Sequence, residues 1–433
     1  MTDFEPRHLS MIANGVGRGG EDVCKRVFTD QFIEQIHKNV AGFEPRHLAM
    51  IATVVSKGGE DVCKRVFTDE FITQIDQKLN KFKPQGLAMI VNGVSNGGKE
   101  LCERVLTDRF ITQINNNVFK FNAQDLANIS NFVSKGGMGI YNRVITLQFT
   151  EQIRNKVFQL NAQDLSMIVN GVSKGGQELC KRVFNDQFIE QIKKKLFEFN
   201  AKELAVLVNG VGKGGQELCK QVFTDQLIKQ IEKKLFEFQA QGLAMIVTGM
   251  SKGGYYFCKD VFTESFINQI QNKMRYFEPQ HLAMIVNGVR KGGPELAGQV
   301  ITPLFIEQVK LNISKFKFQE LVMIAFGLKK SCVLDFESQN SMDRLLFHPI
   351  LKSLQDNQVF INIAFISMLS HWISSCSLSE ENKLWLRNAL NPKLSSVNFE
   401  DESSLFLVRL FFENIELLQD SDSKLRDILD KKI

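Results

Sequence analysis

The sequence predicts an all-α fold, a right-handed α-solenoid (superhelix) of eight 39-residue helical repeats plus a half repeat, closed by an all-helical carboxy-terminal cap. Three observations predict it. The stretch LSMIVNGVSKGG, Leu165 to Gly176, recurs at a fixed step of 39 residues, beginning at Leu9, Leu48, Leu87, Leu126, Leu204, Leu243 and Leu282, with a degenerate ninth copy from Leu321. Within each unit apolar residues step by three and four, as in Leu9, Ile12, Ala13 and Val16, the stripe of an amphipathic helix. A glycine pair and a Thr, or once an Asn, punctuate each of the eight units at constant offsets. A fixed period without insertions over three quarters of a chain marks a stacked array, in which each unit buries its apolar face only against its neighbours.

Each repeat opens on an aromatic marker (Phe4, Phe43, Phe82, Phe121, Phe199, Phe238, Phe277, with Leu160 once and Phe316 in the ninth). Pro or Ala follows two residues later (Pro6, Pro45, Pro84, Ala123, Ala162, Ala201, Ala240, Pro279), where a helix's first turn has no use for the amide that proline lacks. The apolar stripe then gives an opening helix, which Gly19–Gly20 and its equivalents stop; one glycine of the pair suits a left-handed closing residue. Gly15, Gly93, Gly171, Gly210, Gly249 and Gly288 lie inside this helix, where glycine costs about 1 kcal/mol against alanine, so close approach of a neighbouring helix is expected. The second half of the repeat, EDVCKRVFTDQFIEQIHKNV in the first, is also helical in period. Thr29, Thr68, Thr107, Thr146, Thr224, Thr263 and Thr302, with Asn185 in the fifth repeat, predict a break followed by an N-capped helix.

The period is lost past Lys330. Residues 4–330 therefore form the array and 331–433 a helical cap, with segments near 340–356, 358–374, 379–390, 401–418 and 422–431. The last 103 residues hold 10 of the 53 Lys and Arg and 15 of the 48 Asp and Glu, which puts a formal +10 on the array and −5 on the cap. A basic array points to a polyanionic partner. Six of the eight cysteines (Cys24, Cys63, Cys102, Cys180, Cys219, Cys258) share one repeat position, held elsewhere by Tyr141 and Ala297, and read as buried free thiols of a reducing compartment rather than disulfides. A cytoplasmic protein without signal peptide or membrane span is expected, in the bacterial cytoplasm or, for a secreted effector, the host cytosol.

Residues at Met11, Asn14 and Arg18 share a face of the opening helix away from its apolar stripe. Through the repeats the middle position reads Asn14, Thr53, Asn92, Asn131, Asn170, Asn209, Thr248, Asn287, and the third Arg18, Lys57, Asn96, Lys135, Lys174, Lys213, Lys252, Lys291. One amide or hydroxyl plus one cation per repeat suits single-stranded RNA: the amide offers donor and acceptor to a base edge, and the cation one turn on neutralises phosphate. Met11, Met50, Met89, Met167, Met245 and Met284 on the same side would wedge against bases. Two other readings stand beside this one, an Asn ladder bonding successive helices, and cations complementing a helix's carbonyl end. A second row without exceptions, Gln35, Gln74, Gln113, Gln152, Gln191, Gln230, Gln269 and Gln308, reads as structural amides. The position of His8, His47 and His281, held elsewhere by Gly, Asp or Glu, reads as variable surface. No catalytic, cofactor or metal motif is present, and the chain is expected to be a monomer without enzymatic activity.

The run FNAQDLANISNFVSKGG, Phe121 to Gly137, resembles the opening helix of the octotricopeptide repeat, a module shared with FAST-kinase-like proteins, and is similar to uncharacterised tandem repeats of intracellular bacteria. The resemblance spans roughly residues 4–330 and implies an α-solenoid that binds single-stranded RNA at about one nucleotide per repeat. Where the family often carries Trp this chain has Asn14 and its equivalents, and the family's RAP domain is not recognisable in 331–433. The alternative is an armadillo-like protein-interaction scaffold, including a secreted bacterial effector, whose Asn row grips an extended peptide.

Overall fold

The computed structural model describes residues 4–355 together with Met368, Leu369, Trp372, Ile373, Leu386, Ala389 and Leu390. Among them every regular element is a helix, and the elements follow the 39-residue period. The fourth repeat gives the pattern: an opening helix Ala123–Val133, a middle helix Met138–Val144 and a closing helix Leu147–Asn155, with single 3₁₀ turns at Ser134–Gly136 and Val157–Gln159. Within residues 1–230 and again within 231–433 each opening helix packs on the next, which makes the fold an α-solenoid.

The opening helix starts where its side chains cap it. Asn122, Asn161 and Asn200 accept from the amides of Asp125, Asp164 and Glu203, whose carboxylates accept in return from the Asn amides, so two otherwise orphaned donors are satisfied at each start. Its apolar face is completely buried, as Leu126, Ile129 and Val133 show, and the aromatic marker beside it, Phe121, is buried as well. Interior glycines mark the helix-to-helix seam. A Cβ on Gly171 would lie 2.1 Å from the carbonyl oxygen of Ser130, and one on Gly93 2.6 Å from that of Ala52, both on the preceding opening helix. Gly15, on the first opening helix, has nothing within 4 Å.

The glycine pair carries two separate constraints. Its second member has φ between +81° and +113° in all eight repeats, with ψ near 180° at Gly20, Gly137 and Gly176. This is the mirror image of extended backbone, open to glycine alone, and not the left-handed closing conformation expected from the sequence. The first member is fixed by space: a Cβ on Gly97 would meet Leu101 Cδ2 at 2.2 Å and one on Gly175 Leu179 Cδ2 at 2.5 Å. The glycine pair thus makes the short link between the opening and middle helices.

The break at the Thr falls as expected. Thr29, Thr68, Thr107, Thr146 and Thr263 each accept from the amide three residues on, and Asn185 does the same for Phe188. Thr302 makes no such cap; Pro303 opens that helix and the hydroxyl donates to Gln271 Oε1 at 3.2 Å.

The chain divides into two compact units, 1–230 and 231–433. The first contains five whole repeats and most of the sixth. The second contains the seventh and eighth repeats, the ninth opening helix Phe318–Ser331, and a following helix Phe336–Gln355 that packs on it. In this unit buried Asp343 accepts from the Trp372 indole and from Gln339, both at 2.8 Å. The sequence-expected segment near 340–356 is this last helix. Of those at 358–374 and 379–390 only seven helical residues are described, and those at 401–418 and 422–431 lie outside the described residues.

Candidate functional site

Because the apolar stripe of each opening helix faces the core, the residues three and four positions round form an outward surface. In the first unit it presents Asn14, Thr53, Asn92, Asn131, Asn170 and Asn209; in the second, Thr248 and Asn287. Asn14 is exposed, Asn209 is 8% exposed, and the rest are half-buried. Asn170 Nδ2 donates to Asn131 Oδ1 at 2.8 Å, so the amide ladder between successive helices forms at this junction. An Asn amide carries two N–H donors and two acceptor sites, and this bond uses one of each across the pair. Asn209 Oδ1 is buried without a partner. Thr53 and Thr248 turn their hydroxyls onto their own helices, donating to Ala49 and Ala244 carbonyls at 3.0 and 2.9 Å. That leaves them acceptors at most for a ligand. Asn287 Oδ1 accepts from Arg290 Nε at 2.8 Å.

The basic row lies one turn further on, and each of several members reaches back one repeat. Lys57 Nζ donates to the Gly17 carbonyl at 2.8 Å, Asn96 to the Ser56 carbonyl at 2.9 Å, and Lys174 to Ser134 Oγ at 2.9 Å. Lys135 donates to Asn96 Oδ1 and lies 5.6 Å from the centroid of the Phe132 ring. These partners sit where the preceding opening helix ends, at the negative end of its dipole. Among these cations Lys57 complements the carbonyl end of the preceding repeat's helix, whereas Lys135 and Lys174 bond side chains there. Surrounding protein, by stripping water from the ammonium, lowers the pKa of Lys135, Lys174, Lys213 and Lys291. Lys174 is lowered further by the positive charges of Lys213 and Lys135, its counterparts in the adjacent repeats. The cations are close enough to repel one another. Met50, Met89, Met167, Met245 and Met284 are half-buried on the same helices, and Met11 is exposed.

From the fourth repeat on the Gln row belongs to the interior, whereas Gln35, Gln74 and Gln113 are half-buried. Gln152, Gln191, Gln230, Gln269 and Gln308 are buried, and Gln191 Nε2 donates to the Leu160 carbonyl, the first residue of its own repeat, at 2.9 Å. The cysteine row is likewise internal: six buried free thiols, those of Cys63 and Cys102 pushed up by burial to about 12 and about 11. Cys63 Sγ donates to the Gly93 carbonyl in the next repeat at 3.9 Å, and Tyr141, standing in for a cysteine, donates to the equivalent Gly171 carbonyl at 3.1 Å.

One expectation is corrected. His47 and His281 are 7% and 8% exposed, not variable surface, and their Nδ1 atoms accept from the amides of Glu44 and Glu278. They occupy the capping position that Asp125 and Asp164 hold elsewhere; His8 is exposed. The sequence reading also passed over a row of outward phenylalanines. Phe119, Phe158 and Phe197 are 60%, 65% and 68% exposed on the turns after three successive closing helices, because the preceding residue, Val118, Val157 or Leu196, takes the core position. Among the described residues no three His, Cys, Asp or Glu side chains converge as a metal site requires, and no helix is long and apolar enough to cross a membrane.

No protein-family model matches the chain, and no curated protein matches it. Solved structures similar to it include an engineered protein (13% identity, 96% of this chain and 97% of the other, TM-score 0.38). Others are a homology model of the full-length AP-3 complex in an intermediate open conformation (10% identity, 98% and 84%, TM-score 0.32) and a circular tandem repeat protein with novel repeat topology (14% identity, 100% of both, TM-score 0.24). Scores of this size bear on neither function nor partner. The fold assignment rests on the helices and their packing.

Proposed function

We propose that this helical-repeat scaffold binds an extended polyanion, single-stranded RNA, along the opening-helix surface, at about one nucleotide per repeat, and acts by occupancy or recruitment rather than by chemistry. The observation that carries the reading is the row of Lys135, Lys174 and Lys213, one cation at the same position of three successive repeats, in which the charges of the outer two lower the pKa of exposed Lys174. A line of mutually repelling, partly desolvated cations at repeat spacing gains most from a ligand whose negative charges recur along a line, and RNA phosphates do so. The neighbouring amides of Asn92, Asn131, Asn170 and Asn209 would meet base edges, and the octotricopeptide-like sequence pattern supports the same assignment.

Retention of a randomised pool of short single-stranded RNA by the purified chain, at two salt concentrations and with duplex DNA as control, tests this. Salt-sensitive retention that enriches a motif is expected. Lys174→Ala should weaken all sequences alike and lower the salt slope by about 1. No retention at low salt would overturn the reading in favour of an armadillo-like scaffold for an extended peptide.

A further inference from the structure

A different edge of the repeats, built from middle and closing helices, carries a second feature, and it does not depend on the RNA reading. In the first repeats an arginine on the middle helix reaches back to the first residue of the preceding closing helix. Arg65 meets Asp30 at 2.5 Å, Arg104 meets Asp69 at 2.7 Å, and Arg143 meets Asp108 at 2.6 Å. The register is constant, so the next bridge would join Arg182 to residue 147. That residue is Leu147, and the carboxylate is missing.

At this junction the surface opens into a cavity of about 420 Å³ lined by Leu147, Arg154, Asn155, Arg182, Gln187 and the nearby Thr150 and Glu151. Arg154 brings a second guanidinium from the closing helix. Among the described residues neither arginine has a carboxylate within ion-pairing distance, while Glu178, one turn before Arg182 on the middle helix, is paired with Lys181 at 2.9 Å. Two guanidiniums against one carboxylate leave the lining with a net positive charge. The Thr150 hydroxyl is spent on the Leu147 carbonyl at 2.8 Å, so the side-chain amides of Asn155 and Gln187 are the remaining polar groups. Leu147, 67% exposed, adds an apolar wall.

We propose that this cavity is a binding site for an oxyanion carried on an apolar group, a phosphate monoester or a carboxylate, which takes the place of the aspartate that the earlier junctions supply from within. A guanidinium presents its N–H donors as a planar fork matched to the paired oxygens of either anion, and a second guanidinium in the same cavity permits a two-sided clamp. The apolar wall selects an anion with a hydrocarbon body over a bare inorganic ion.

The test is calorimetric titration of the full chain with phenyl phosphate and, separately, benzoate at fixed ionic strength. Saturable binding of at least one probe is expected; the tighter of the two identifies phosphate or carboxylate as the source. Leu147→Asp supplies the missing carboxylate and should weaken binding at least tenfold. The variant should fold, because Asp30, Asp69, Asp108, Asp186 and Asp225 hold this position in other repeats. Arg182→Gln should weaken binding comparably, and Arg143→Gln, at a bridged junction, should leave it unchanged. Saturable binding of neither probe by the native chain, or affinity as tight as the native chain's in the Leu147→Asp and Arg182→Gln variants, would overturn the proposal.

Discussion

Two rows of amides recur at the same period and have opposite fates. The Gln row on the closing helices has no exception in eight repeats and from Gln152 onward is buried, with Gln191 bonded to the Leu160 carbonyl, while Gln35, Gln74 and Gln113 are half-buried. The Asn row on the opening helices admits Thr53 and Thr248 and stays at a half-buried surface. At Gln191 the strictly repeated amide serves a bond within its own repeat. Tolerated exchange marks a face whose demands differ from unit to unit, which is what a ligand of varied sequence would impose. The Asn170 to Asn131 bond shows that the distinction is one of degree, since the outward row also helps join repeats.

The largest effect should separate two glycines of one row. Gly171→Ala forces a methyl to within 2.1 Å of the Ser130 carbonyl oxygen, which belongs to backbone and has no rotamer to yield, so a loss of about 3 kcal/mol or more is expected. Gly15→Ala meets nothing within 4 Å and should stabilise its helix by about 0.5–1 kcal/mol. Urea denaturation of both variants checks the pair. Equal effects would show that helix propensity, not the seam between opening helices, governs the row.

The amide comparison is sharpened by one substitution in each row. Gln191→Met keeps the bulk, leaves the Leu160 carbonyl without its donor, and should cost about 1 kcal/mol of stability with RNA retention unchanged. Asn170→Ala should cost less stability and weaken retention selectively, for RNAs that differ at one position of the motif. A uniform loss over every sequence would remove Asn170 from base reading and leave it a rung of the stack.

Most of the fold was legible because the period repeats each physical constraint eight times. Thr or Asn before an acidic first turn, proline two residues past the aromatic marker, and the glycine pair each predict a boundary, and the boundaries fall there. The ψ of the second glycine was not legible, because glycine is the residue of choice for both positive-φ conformations. The outward rows were legible as faces of a helix but not as bonds: that Lys57 serves the end of the preceding helix depends on how closely repeats stack, which no single repeat encodes. Arg182 and Leu147 lie 35 residues apart and have meaning only beside the three bridges that set the register. The division at residue 230 follows no change in the repeat, whereas the loss of period past Lys330 was plain.

The smallest expected effect concerns the histidine caps, where three whole repeats and the ninth opening helix otherwise use an acid. Asp125, Asp164 and Glu203 accept the N-cap amide through a carboxylate; His47 and His281 accept it through Nδ1, which holds a lone pair only while the imidazole is neutral. Burial lowers the pKa of both histidines, and at His47 the neighbouring Arg46 charge adds to it. The folded chain therefore binds fewer protons than the unfolded one. Their contribution to stability is present above the ordinary histidine value of 6.5 and is lost as pH falls below it toward the depressed folded values. In a His47→Gln, His281→Gln double variant the cap acceptor no longer titrates, so the slope of stability against pH between about 7 and 5 should flatten relative to the native chain. Parallel slopes by urea denaturation would show that the two imidazoles keep their caps when protonated, and that acid and histidine units are interchangeable in the array.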